Sequence, residues 1–158
     1  MTVWARRPRE AEALAHALSD AGVAASASRD LAHASGEADV VSVATLATAP
    51  LIEGRWLRPG CHLDLIGSFT PAMREADDAC FAGADLWVDT EEALKKSGDL
   101  LGPMARGVFA AGDVRGNLAA LARGEARGRS DDERRTVFKS VGTALEDLAA
   151  AILVHERG

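Results

Sequence analysis

The sequence predicts an α/β fold built on an open, mostly parallel sheet, and three observations carry that prediction. Five short strand-like runs alternate with helical segments, and parallel neighbours need a crossover that is usually a helix. Val40 to Ala44 reads VVSVA, β-branched and uncharged, as a strand buried on both faces should. His62 to Ile66 runs into Gly67-Ser68-Phe69-Thr70, a break at a strand's carboxyl end, where open parallel sheets form their ligand crevice.

Thr2 to Ala5 is the first strand. Pro8 suits the first turn of a helix because its φ is already helical and its missing N–H costs nothing there. Ala11, Leu14, Ala15 and Leu18 recur at helical spacing, and Gly22 is a stop. Val23 to Ala27 is a weak second strand, Asp30 caps a short helix ending near Gly36, and Val40 to Ala44 is the third strand. Pro59-Gly60 is a turn that delivers the chain to His62 to Ile66, after which Pro71 starts a further element. Helix is expected over Glu75 to Phe81, strand over Leu86 to Val88, helix over Glu91 to Lys96 and loop over Ser97 to Arg106. Val114 to Ala122 reads as helix with Leu118 and Leu121 inward. Ser130 with Glu133 fits a capping box, and the charge-dense stretch Arg123 to Arg135 around it reads as a solvated loop and helix start. Thr136 to Ser140 is strand-like, Gly142 breaks it, and Thr143 to Glu156 is a last helix. That helix is apolar nearly all round from Leu148 to Val154, so it should be buried on more than one side, against this chain or something outside it.

At 158 residues the chain can bury one core. Eighteen basic residues against 24 acidic give a net charge of −6, and no basic block interleaves with aromatics, so nucleic acid is not an expected partner. Cys61 and Cys80 have no CxxC spacing and read as buried free thiols in a reducing compartment. The four histidines form no ligand pattern, so no metal is expected. The start lacks a signal-peptide profile and no apolar run could cross a bilayer; the expectation is a cytoplasmic protein with no membrane partner.

A dinucleotide-binding unit normally opens strand, GxGxxG, helix, because glycines let the backbone approach the pyrophosphate at a helix N-terminus. This chain has no such motif. It starts as a second strand of that fold would, followed by Arg6 and Arg7, where arginine suits a 2′-phosphate and an acidic residue would suit an unphosphorylated ribose. The same pair also suits a solvated helix start.

The stretches VWARRPREAEALA, ADVVSVATLATAPLI, WLRPGCHLDLIGSFTPAMREADD, DLWVDTEEALKKSGDLL and TVFKSVGTALEDLAAAILVHER together resemble the cofactor-binding part of the ornithine cyclodeaminase and mu-crystallin family. The resemblance implies a Rossmann-like domain that binds NADP(H) or NAD(H), the former favoured by Arg6 and Arg7, and that is joined in the family to a substrate and dimerisation domain. Carried over by position, Ala5, Arg6 and Arg7 match the segment gripping the 2′-phosphate, and Thr45 and Leu46 the loop passing the cofactor. Gly67 and Ser68 match the turn near nicotinamide and substrate, and Ser140, Val141 and Gly142 the segment closing over the nicotinamide. No catalytic residue is assigned. Residues 1–129 would form a partial nucleotide-binding domain, and 130–158 a strand and helix packing back toward the substrate domain.

The implied activity is NAD(P)H-dependent reduction of a small imino acid, of ketimine or cyclic imine reductase type, in a homodimer. Cyclodeaminase, amino-acid dehydrogenase and non-enzymatic binding of cofactor and small ligand are the alternatives. In the cyclodeaminases an aspartate lies in the turn after the His62 to Ile66 strand and acts as acid and base, and that position here is Phe69, which cannot carry a proton; GSFTPAMRE is similar to the reductases. The family's first strand, glycine-rich loop and carboxylate-holding residues have no match here. In strand order 3-2-1-4-5-6 the unmatched strand is central, which would leave two strands with unpaired edges. Sequence upstream of Met1 is the expected source, with a second chain or a differently closed sheet as the alternatives, and residues 1–158 alone are expected to bind dinucleotide weakly and to be inactive.

Overall fold

The computed structural model describes all 158 residues. Its strands are β1 (Thr2–Val3), β2 (Ser26–Ala27), β3 (Val40–Val43), β4 (His62–Leu65), β5 (Asp85–Val88), β6 (Val114–Asn117) and β7 (Thr136–Lys139). Its helices are α1 (Pro8–Asp20), α2 (Leu31–Glu37), α3 (Ala93–Lys96), α4 (Gly98–Ala105), α5 (Leu118–Ala122) and α6 (Ala144–Arg157). Every ladder is parallel, as the alternation of elements predicts. The strands form two sheets, β1-β2 and β3-β4-β7-β5-β6. The sheet is therefore interrupted between β1 and β3, and the last strand of the chain is inserted between β4 and β5.

Register explains the core. Val41, Leu63, Val137 and Leu86 are aligned across four strands, and so are Val43, Leu65, Lys139 and Val88. Because side chains alternate along a strand, these two rows share one face. Against it pack Ile52, Leu57, Cys61, Ala76, Cys80, Phe81, Ala93 and Leu100. Each leucine or valine fully buried here contributes about 1.5–3 kcal/mol. His62, Asp64, Trp87, Thr136 and Phe138 occupy the opposite face.

α1 starts at Pro8 and α2 is capped by the Asp30 carboxylate, which accepts from the His33 N–H at 2.9 Å. Both match the sequence reading. Four segments do not. Glu75 to Phe81 forms only a 3-10 turn over Asp78–Cys80, because Ala76 bridges to Ile52 in extended conformation and the Asp99 carboxylate takes the N–H groups of Glu75 and Ala76. Ser97 to Arg106 is not loop but α4, whose Pro103 is accommodated in a short helix. Val114 to Asn117 is strand, paired with β5, and the helix begins only where the Asn117 side chain caps it. Ser130 forms no capping box; its hydroxyl donates to Asp85 at 2.6 Å.

The charge-dense stretch is not merely solvated. Arg135 donates to the carbonyls of Gly54 at 2.9 Å, Leu57 at 3.2 Å and Ala79 at 2.8 Å, so one guanidinium clamps two loops under the sheet. α6 departs in the other direction. It has the Thr143–Glu146 capping box, yet Leu145, Leu148, Ile152, Leu153 and Val154 are exposed, so its apolar surface is not buried against this chain. No helix is long and apolar enough to cross a membrane.

Cys61 and Cys80 are both buried and unpaired, and burial raises both thiols above their ordinary range. Because the thiolate is the reactive form, a disulfide-exchange reagent should label neither in the native chain and both in denaturant. Rapid native labelling would contradict the packing around them.

Candidate functional site

Parallel strands point their carboxyl ends the same way, so the segments after β3, β4 and β7 are brought side by side by strand pairing alone. Those segments are Thr45–Leu46, Gly67–Ser68 and Ser140–Gly142. Ala5, Arg6 and Arg7 follow β1 in the other sheet, across the interruption. The guanidiniums of Arg6 and Arg7 lie on an exposed stretch, with Arg7 3.6 Å from Glu10.

Two buried carboxylates hold the loops together, and sequence reasoning assigned a role to neither. Glu75 is fully buried. Its Oε1 accepts from the Thr45 N–H at 2.6 Å and the Thr45 hydroxyl at 2.7 Å, and its Oε2 accepts from the Gly67 N–H at 2.7 Å. One side chain thus fixes the loop after β3 to the turn after β4. Gly67 permits this approach, since a Cβ there would overlap the backbone of Thr45 and Glu75 Oε1.

Asp89 does the same for the end of β7. Its Oδ2 accepts from the Ser140 hydroxyl at 2.9 Å and from the N–H groups of Val141 and Gly142 at 2.7 Å each. Gly142 has φ +76, a conformation that glycine adopts without strain. Charge-assisted bonds of this kind are roughly twice as strong as neutral ones, so the three loop segments are pre-set.

Below them lies Lys139, fully buried in the apolar row. Its Nζ donates to the Leu65 carbonyl at 3.0 Å and stands 3.9 Å from Asp99 Oδ2. Burial lowers the Lys139 pKa against the opposing pull of Asp99, Glu75, Asp89 and Asp64, and burial raises that of Asp99. A lysine inside TVFKS was the available signal for this cluster, since a buried strand has no place for an unpaired cation.

Ser68 is buried, with its hydroxyl donating to the Met73 carbonyl at 2.7 Å and accepting from the Asp99 N–H at 3.1 Å. The side chain exposed on this turn is Phe69, at 45%, and it carries no titratable group. Leu46 is exposed on the loop after β3. No group of His, Cys, Asp or Glu is arranged to hold a metal ion.

Residues 1–158 match the Ornithine cyclodeaminase/mu-crystallin family. The chain is 47% identical over 152 residues to Delta(1)-pyrroline-2-carboxylate reductase of Paracoccus denitrificans, covering 96% of this chain and 48% of that protein. It is 40% identical over 120 residues to the ketimine reductase mu-crystallin of Mus musculus, covering 75% and 36%. Among solved structures, Thermococcus litoralis Delta(1)-pyrroline-2-carboxylate reductase in complex with NADH and L-proline superposes at a TM-score of 0.94 with 33% identity, over 98% of this chain and 49% of that one. The chain spans about half the length of the relatives it matches. A match along its whole length, with a fold this closely shared, makes the chain a member of the ornithine cyclodeaminase/mu-crystallin family.

Proposed function

We propose that the chain is the cofactor-binding half of an NAD(P)H-dependent reductase of small imino acids, of the ketimine or cyclic imine type. The observation that carries this reading is the crevice at the carboxyl ends of β3, β4 and β7, pre-set by Glu75 and Asp89, in a fold shared with a reductase solved with NADH and L-proline.

The residues fit the two ends of a dinucleotide. Arg6 and Arg7 offer guanidiniums to a 2′-phosphate beside β1, and Thr45, Leu46, Gly67 and Ser140 to Gly142 offer a rigid backbone wall at the other end. Nothing in residues 1–158 supplies a glycine-rich pyrophosphate cradle. Bound there, a reduced nicotinamide supplies a hydride to the imine carbon. The chain's own contribution is position, from the Glu75 and Asp89 clamps, and exclusion of water at Phe69. Phe69 cannot donate the proton that the imine nitrogen takes up, so that proton comes from solvent or from a group outside these residues. α6, with its exposed apolar side chains, packs against the substrate-binding half, and the assembled enzyme is a dimer.

The test is oxidation of NADPH by residues 1–158 joined to the unmatched half of the Paracoccus denitrificans protein, with Delta(1)-pyrroline-2-carboxylate and linear ketimines as substrates. Turnover supports the reading. Full cofactor binding without turnover of any imine contradicts it and leaves a binding module. In the same assembly, replacing Arg6 and Arg7 together with alanine should raise KM for NADPH about tenfold or more, since a charge-assisted phosphate contact contributes about 1.5–3 kcal/mol. KM for NADH should hardly move. An equal loss with both cofactors would remove the arginines from the 2′-phosphate and the preference for NADP(H) with them.

A further inference from the structure

The Glu75 carboxylate joins the loop after β3 to the turn after β4, and the groups that hold Glu75 itself lie beneath the crevice. Its backbone is tied on both sides. The Glu75 carbonyl accepts from the Leu51 and Ile52 N–H groups at 2.8 and 2.9 Å, and its N–H donates to Asp99 Oδ1 at 2.9 Å. The same oxygen accepts from the Ala76 N–H at 3.1 Å. Asp99 is fully buried in the first turn of α4, so one carboxylate oxygen from another element fixes the peptide that carries the Glu75 side chain.

The start of α4 is in turn locked to the turn after β4. The Gly98 N–H donates to the Thr70 carbonyl at 3.0 Å, and a Cβ on Gly98 would lie 2.1 Å from the Met73 carbonyl oxygen. The Asp99 N–H donates to the Ser68 hydroxyl at 3.1 Å, and the Ser97 hydroxyl stands 3.2 Å from the same oxygen. Ser68, Glu75, Ser97 and Asp99 are all buried. In so dry a network each bond is strong and each released group costly. The two oxygens of Asp99 also divide their roles. Oδ2 faces the Lys139 ammonium at 3.9 Å and accepts no hydrogen bond, whereas Oδ1 takes both backbone N–H groups. Asparagine at 99 would keep the Oδ1 acceptor and lose the charge; alanine would lose both.

We propose that Asp99 is a positioning residue: its Oδ1 sets where the Glu75 carboxylate sits, and so the separation of Thr45 and Gly67 and the seat of a nicotinamide beside them. What the crevice holds rests on the activity proposed above; that Asp99 sets the crevice does not.

The experiment compares Asp99→Ala with Asp99→Asn, by site-resolved hydrogen exchange in residues 1–158 and by kinetics in the same chain joined to the unmatched half of the Paracoccus denitrificans reductase. Both variants leave Lys139 without its carboxylate, so both lose stability, but only alanine releases the Glu75 and Ala76 N–H groups. With alanine the Thr45 and Gly67 amides should exchange about tenfold or more faster, the equivalent of one buried hydrogen bond. The reference is the Ile66 and Ser140 amides, which bond to the Val43 and Leu65 carbonyls and not to Glu75. Asparagine should restore most of the protection. In the joined protein, kcat for imine reduction per folded molecule should fall with alanine by up to about a hundredfold, as a small misplacement of reacting groups can cost. KM for NADPH should change less, and asparagine should recover most of kcat. If Asp99→Ala does not fold, the same contrast is read in Lys139→Met, where neither replacement leaves a buried cation unpaired. Thr45 and Gly67 amides as protected in the alanine variant as in the parent, or losses that follow only the folded fraction in both variants, would overturn the proposal. A joined parent that binds NADPH and reduces no imine would remove the proposed activity alone, and the exchange result would then decide the role of Asp99 by itself.

Discussion

Lys139→Met is expected to lower the stability of the chain by about 3–5 kcal/mol, the cost of removing one member of a buried ion pair. Methionine matches the lysine stem and suits a position aligned with Val43, Leu65 and Val88, so what is lost is charge and not packing. The carboxylate of Asp99 would keep no cation at hand, and its Oδ2 already has no hydrogen-bond partner. Adding Asp99→Asn should recover part of the loss. The pH dependence has a definite sign. Burial already raises the Asp99 carboxyl above its ordinary value, and loss of the lysine raises it further. In the window between its unfolded and folded pKa values the folded state holds a proton that the unfolded state releases, so acidification through that window favours folding. The deficit of Lys139→Met in urea unfolding should therefore shrink as pH falls toward the carboxylate range. A deficit under 1 kcal/mol at neutral pH, or one that grows on mild acidification, would sink the paired-charge reading.

Gly67→Ala should be nearly as severe, about 3 kcal/mol, at the upper end for overpacking a rigid site. A methyl there overlaps the backbone of Thr45, and no flexible side chain can move aside to admit it. The strand ends can separate only by breaking the bonds from Glu75 to Thr45 and to Gly67. Unlike Lys139→Met, this change should also spoil any ligand site at the crevice, because it moves the loops that form the wall. Denaturation midpoints would show the first effect. A variant as stable as the parent would mean that the two loops are not in contact.

Six of the seven strands, and the positions along the chain of the segments that follow β3, β4 and β7, were legible because they rest on local signals. VVSVA, HLDLI and TVFKS carry β-branched or apolar alternation, and a glycine marks each carboxyl end that turns sharply. The crevice residues sit where those readings put them along the chain. What sequence could not give was the partner of each polar group. Glu75 and Asp89 look like surface carboxylates until strand pairing brings Thr45, Gly67 and Val141 to them from 30, 8 and 52 residues away. Arg135 reads as part of a charged surface for the same reason. Val114 to Asn117 reads as helix because pairing with β5 is decided by the sheet, overriding local preference. α4 was missed because Gly98 and Pro103 are loop signals when the helix is only eight residues long.

In the proposed function the carboxyl ends of β3, β4 and β7 form the nucleotide site. Amide chemical shifts of residues 1–158, followed as NADPH is raised into the millimolar range, test that most directly and detect binding even when it is weak. Shifts concentrated on Ala5 to Arg7, Thr45, Leu46, Gly67 and Gly142 are predicted. Shifts concentrated instead on the hollow of His62, Trp87, Thr136 and Phe138 on the opposite sheet face would contradict it.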